Sequence, residues 1–234
     1  MDSTKRLIAA APLVLSLAAF TQEALAVTDI TACQTISESG SFRLTENLSA
    51  NGDCLVVSAD RVEIDLQGHT IGGDGTGSGV RDQRGNLAIT VRNGTIANFQ
   101  RGVCLLSTQG AVVEQLRVVE SGDLGITLRS GRVRSNVVFS IDGTGIVVRA
   151  AGVVSDNFVS RVGTFGISVS GGSIVVGNSV FMAGRDGVSA TCPARVADNS
   201  VFAFDANKTD GFTGVAIGTN GGSGCSVSGN ASGL

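Results

Sequence analysis

Tryptophan and tyrosine are absent from this chain, proline occurs only twice, and the one histidine is His69. Without Trp or Tyr there are few faces on which nucleobases could stack. With 17 basic against 20 acidic side chains there is no cationic surplus to hold a phosphate backbone, so no nucleic acid partner is expected. Long apolar runs are also scarce. The single one spans Leu7 to Phe20, preceded by Lys5 and Arg6 and followed by Ala24 and Ala26. A basic start, a short apolar stretch and A-x-A-like small residues predict a secretory signal peptide over residues 1–26, too short to cross a membrane as a helix. With no second such run, no membrane span is expected, and the mature chain belongs in a secreted or periplasmic setting.

Glycine, by contrast, is abundant, with 33 residues set among short Val, Ile and Leu runs. That composition suits many short strands joined by tight turns. Glycine followed by Val or Ile recurs at Gly79, Gly102, Gly125, Gly145, Gly166, Gly187 and Gly214, in steps of 23, 23, 20, 21, 21 and 27 residues. Periods in this range mark a solenoid. A second ladder runs in phase: Asn136, Asn157, Asn178 and Asn199 are 21 residues apart, three after Val133, Val154, Val175 and Val196 and two before Val138, Val159, Val180 and Val201. Leucine-rich repeats would need Leu-x-x-Leu-x-Leu spacing and hexapeptide helices a six-residue step; neither is seen.

Each coil therefore carries three short β segments, with the residues one and three places after the glycine facing inward. Stacking the coils would bury these residues as aliphatic columns, each filled position contributing roughly 1.5 to 3 kcal/mol before chain entropy. The asparagines fall between the second and third segments. There they are expected to take the left-handed conformation of a sharp bend and to hydrogen-bond with the amides above and below.

Five cysteines in an exported chain point to disulfides and one spare thiol. Cys33 and Cys54 stand near the start of the mature chain and Cys192 and Cys225 near its end. Pairing within each of these two sets leaves Cys104 free, although the sequence permits other connectivities.

The segments VEIDLQGHTI (62–71) and VRNGTIANF (91–99), with the recurring Gly-Ile and Gly-Asn steps, resemble the right-handed parallel β-helix repeat proteins of the pectate-lyase-like superfamily over about residues 41–230. The resemblance implies an all-β, right-handed parallel β-helix of 8–9 coils with three strands each over residues 41–234. It also implies structural turn roles for His69 and Asp65. Because the ends of a solenoid expose strand edges, residues 27–40, tied down by Cys33, are expected to form an N-terminal cap. The Gly-rich run at 72–79 lacks the Lys and Ser/Thr of a phosphate loop and reads as an inter-coil loop.

In enzymes of the resembled superfamily the substrate lies along the first sheet, so the outward residues there are the candidates. Two places after each glycine stand Arg81, Cys104, Thr127, Val147, Ser168, Ser189 and Ala216; four places after, Arg129 and Arg149 fall on adjacent coils. Two guanidiniums one coil apart could grip the carboxylates of an acidic sugar chain. Asp123, Asp142 and Asp186 stand just ahead of the glycines. A lyase or glycosidase would need its acids and bases to converge, and neither constellation is visible in the spacing.

The polygalacturonase and alginate epimerase motifs of the superfamily are absent. Cys104 faces outward without a His in the neighbouring repeats, so it reads as a thiol without a catalytic role. The column Phe139, Phe181 and Phe202 reads as core or turn packing, with an exposed interaction strip as the alternative. The leading expectation is a protein that binds an acidic polysaccharide or cell-surface glycan through Arg81, Arg129, Arg149, Asp123 and Asp142, with no cofactor or metal. A polysaccharide lyase or epimerase, using Ca²⁺, is the second reading. The third is a structural or adhesion module that self-associates through its C-terminal coil, which has no amphipathic segment to cover it.

Overall fold

The structure, a computed structural model, describes residues 26–202, 217–220 and 223–233. The expected signal segment up to residue 25, and the repeat positions Gly214 and Ala216, lie outside the described residues. The described strands form an all-β parallel solenoid of about eight turns. Three sheets run along its axis. In one representative coil, Gly131–Arg134 belongs to sheet 2, Val137–Ile141 to sheet 3 and Thr144–Val148 to sheet 1.

The expected columns are present. Val133 stacks on Val154, Val154 on Val175 and Val175 on Val196, and all four are 0% exposed. In sheet 1, Ile126, Ile146, Ile167 and Val188 follow one another in register. Parallel strands stand about 4.8 Å apart, so equal side chains on successive coils touch and water is excluded between them.

The repeat glycines owe their place to crowding at the entry to sheet 1. A Cβ on Gly125 would lie 2.5 Å from the carbonyl oxygen of Gly145 and 2.8 Å from Cγ1 of Val138. Neither the neighbouring backbone nor the core valine can withdraw without separating the coils.

The asparagine corner differs from expectation in one respect. The left-handed residue is the one before each asparagine: Ser135 (φ 56), Asp156 (φ 57), Gly177 (φ 67) and Asp198 (φ 56). That conformation turns the next side chain inward, where Asn136, Asn157, Asn178 and Asn199 are only 1–2% exposed. Each Nδ2 donates at 2.9 Å to the Oδ1 of the next asparagine, from Asn136 through to Asn230. The same Nδ2 atoms reach back to sheet 2 carbonyls, as Asn157 does to Val133 at 2.9 Å. The ladder thus satisfies the buried backbone of the corner as well as itself.

The last coil is longer than the glycine spacing implied. Val188 pairs with Ile217, a step of 29 residues, and Val196 pairs with Val227, a step of 31. The Gly187 to Gly214 step therefore does not mark the register, because most of the extra residues fall between Phe202 and Ile217 and the rest between Ile217 and Val227.

Residues 27–40 take part in the stack, Val27–Ile30 pairing with Gly40–Leu44 and Gln34–Ile36 with Leu55–Val57. Cys33 bonds to Cys54 and Cys192 to Cys225, each bridge joining successive coils, while Cys104 is a free thiol. In chain-entropy terms each bridge is worth about 3 kcal/mol.

Candidate functional site: a cationic groove between sheets 1 and 2

Where the chain turns from sheet 1 into sheet 2, small residues line the corner on successive coils: Gly131 stacks on Ala111 and on Gly152, and Gly110 and Gly172 lie in the turns of the first and last of these four coils. A Cβ on Gly131 would stand 2.7 Å from the backbone nitrogen of Ala111. With no side chains to fill the corner, a groove of about 440 Å³ runs across four coils. Its wall is the outward row Val112, Arg132, Val153 and Ile174, held in register by sheet 2, and Arg195 continues that row.

Arg129 and Arg149 lie on the turns that lead into this corner. The amide of Arg149 donates to Leu128 at 3.0 Å and that of Ala150 to Arg129 at 2.7 Å, which fixes the two arginines on consecutive coils. Both side chains are exposed. Among the described residues neither they nor Arg132 has a carboxylate partner, whereas other arginines do.

The remaining sequence candidates are not gathered here. Arg81 bonds to Asp53 and donates to the carbonyl of Asp82 at 3.4 Å. It stacks on Cys104, which stacks on Thr127, so it sits two coils before the Arg129 coil. Asp123 is held by Arg101 at 3.3 Å. Asp142 is exposed, its backbone amide bonded to Ser121 at 2.9 Å. Both aspartates precede their sheet 1 strand, whereas Arg129 and Arg149 follow it. At about 3.3 Å per residue, acids and free arginines are roughly 20 Å apart along the chain.

Cys104 faces outward but is only 8% exposed. Burial pushes its thiol pKa up, with Arg101 pulling the other way, so it is a poor nucleophile near neutral pH. His69 serves its turn through the backbone, donating to Leu66 at 2.7 Å and accepting from Thr95 at 3.0 Å. Asp65 accepts from Gln67 at 2.8 Å and from Asn93 at 3.1 Å, a turn role. Among the described residues no three His, Cys, Asp or Glu side chains converge as a metal site.

The phenylalanine column is not core. Phe139, Ser160, Phe181 and Phe202 form an outward row of sheet 3, and the parallel row Val137, Phe158, Ser179 and Ser200 lies beside it. Period two decides this, because Val138, Val159, Val180 and Val201 take the inward positions between the two rows.

The groove itself was not legible in the repeat, because only Gly131 and Gly152 share a register position there, flanked by Ala111 on the preceding coil.

Fold and surface together define a parallel β-solenoid repeat protein with a corner groove lined by Arg132 and preceded along the chain by Arg129 and Arg149. The family model described as "Right handed beta helix region" matches residues 35–181, more than half of the chain, and the chain belongs to that family. No curated protein matches it. Among solved structures it is similar to the Dettilon tailspike protein at 12% identity and a TM-score of 0.46, over 86% of this chain. The match spans 60% of the tailspike chain.

Proposed function

We propose that this chain is a carbohydrate-binding β-helix that holds an acidic polysaccharide across the corner between sheets 1 and 2 without cleaving it. The observation that carries this reading is the pair of exposed, unpaired guanidiniums of Arg129 and Arg149 on consecutive coils beside the groove. The glycine floor lets a flat sugar ring approach the backbone, Val153 and Ile174 offer apolar contact, and guanidinium forks match carboxylates. Binding is favoured over cleavage because acid-base chemistry on a sugar needs groups within a few Å of the bond. Here Asp123 is occupied by Arg101, and the free arginines lie at the far end of the strands.

Two disulfides fit an oxidising compartment. Among the described residues no helix is long and apolar enough to cross a membrane. We place the protein outside the cytoplasm on these grounds together with the N-terminal pattern.

Calorimetric titration with polygalacturonate, alginate and neutral dextran tests the proposal. Binding is expected for the two anionic polymers only and to weaken with salt. Arg129→Ala with Arg149→Ala should reduce it about 100-fold, from roughly 1.5 kcal/mol or more per charge-assisted contact. Arg81→Ala should leave it unchanged. An unaltered Kd in the double variant would remove the groove from the account, and release of unsaturated or reducing ends would replace binding with catalysis.

A further inference from the structure

Sheet 3 presents an outward face that carries Phe158 and Met182 exposed and Phe139, Phe181 and Phe202 half-buried, and that face is complementary to itself. Phe158 is 40% exposed and Met182 49%. The Phe158 and Phe181 rings stand 5.8 Å apart, and those of Phe181 and Phe202 5.1 Å apart. Contiguous apolar surface of this kind on a soluble fold marks an interface.

The two outward rows complement each other in size on three successive coils. The row nearer sheet 2 reads Val137, Phe158, Ser179, Ser200, and the row nearer sheet 1 reads Phe139, Ser160, Phe181, Phe202. In three successive coils a phenylalanine in one row therefore has a serine in the other. Charge is divided in the same manner. On the coil of Phe158, Asp156 stands at the edge toward sheet 2 and Arg161 at the edge toward sheet 1, both exposed. Among the described residues neither forms an ion pair, Arg161 lying instead 5.0 Å over the Phe139 ring.

We infer that two copies of this chain associate side by side through sheet 3, with solenoid axes parallel and related by a two-fold axis along the same direction. Such an axis exchanges the two edges of the face while keeping every coil at its own height. Phe158 then lies against Ser160 of the second copy, which its own chain leaves only 6% exposed, while Phe181 meets its half-buried Ser179 and Phe202 its half-buried Ser200, so each ring faces a small side chain. The coil below pairs Val137 with Phe139. By the same operation Asp156 faces Arg161 of the second copy, twice per dimer. Reversing one solenoid would set each row against itself and lose this matching. The inference is independent of the glycan reading, because the groove lies on another edge of the prism.

Sedimentation equilibrium of the full chain from low to high micromolar concentration provides the test. The wild type is expected to dimerise. Asp156→Arg alone sets Arg against Arg, and Arg161→Asp alone sets Asp against Asp; each should weaken association by at least about tenfold. The two changes combined restore the pairing with its sign inverted and should recover the wild-type constant. A left-handed backbone accommodates long side chains here, as Gln115 and Arg161 already show. Ser179→Arg, which keeps both charges and blocks the seat of Phe181, should also dissociate the dimer. Circular dichroism checks that each variant is folded. A monomer throughout the range, single reversals without effect, or a double variant that fails to recover would each overturn the inference. Retained glycan binding in the dissociated variants keeps the two readings apart.

Discussion

Asn157→Leu is expected to destabilise the protein by about 4 kcal/mol or more and to lower its thermal midpoint by roughly 10 °C. The volume is nearly unchanged, so the loss is one of hydrogen bonding. Nδ2 of Asn157 donates to Val133 O, Ser155 O and Asn178 Oδ1, each at 2.9 Å. Its Oδ1 accepts from the backbone and side-chain nitrogens of Asn136 at 3.0 and 2.9 Å. Leucine leaves several of these groups unpaired where water does not reach, at about 1 to 3 kcal/mol each. The break also divides one continuous ladder into two, in a fold whose stability is passed from coil to coil. Ser155→Ala, on the outward face of the strand that leads into this corner, should change stability by no more than about 0.5 kcal/mol. Chemical denaturation of the three proteins checks this, and a loss below about 1 kcal/mol for Asn157→Leu would make the ladder ornamental.

Gly145→Ala should cost about 3 kcal/mol, although alanine is ordinarily a mild replacement for glycine. The added Cβ would lie 2.6 Å from Cγ1 of Val159 and 2.7 Å from the carbonyl oxygen of Gly166. One neighbour belongs to the core and the other to the next coil, so relief requires widening the stack or displacing a buried valine. Gly85→Ala supplies the contrast, since its nearest neighbour would be the Ser107 carbonyl oxygen at 3.7 Å. That variant should be neutral or slightly stabilising through reduced freedom of the unfolded chain. Equal effects at the two glycines would show that the spacing of Gly145 reflects something other than crowding between coils.

The columns were legible because a solenoid repeats its environment. Val133, Val154, Val175 and Val196 meet the same neighbours at each turn, so the same residue recurs every 21 positions. The asparagines were found for the same reason, but their conformation was assigned one residue late. Spacing locates a corner, whereas which of its two residues is left-handed depends on which side chain must turn inward to satisfy the ladder.

The surface was harder to read. Arg81 to Asp53 and Arg101 to Asp123 pair diagonally across coils, 28 and 22 residues apart. Such pairs follow no repeat and neutralised two residues that had looked available. Arg129 and Arg149 were visible as neighbours because they share one repeat position. Their groove was not, because the small residues that open it do not repeat as one type: Gly131 stacks on Ala111 and Gly152, while Gly110 and Gly172 stand one residue out of that register. The column of Phe139, Phe181 and Phe202 was read as core or turn packing, with an exposed strip as the alternative, when parity against Val138, Val159, Val180 and Val201 already favoured the strip.

Register between successive coils underlies the aliphatic columns, the groove and the arginine pair alike, and cysteine cross-linking reads it directly. Ile174 and Arg195 are exposed register partners on neighbouring coils of sheet 2, while Val153 and Arg195 are separated by one further coil. Adjacent coils at about 4.8 Å lie within disulfide reach, and coils two apart at roughly 9.6 Å do not. Ile174→Cys with Arg195→Cys should therefore form an intramolecular disulfide under mild oxidation, and Val153→Cys with Arg195→Cys should keep both thiols free. Cross-linking of the second pair, or of neither, would contradict the stacked arrangement.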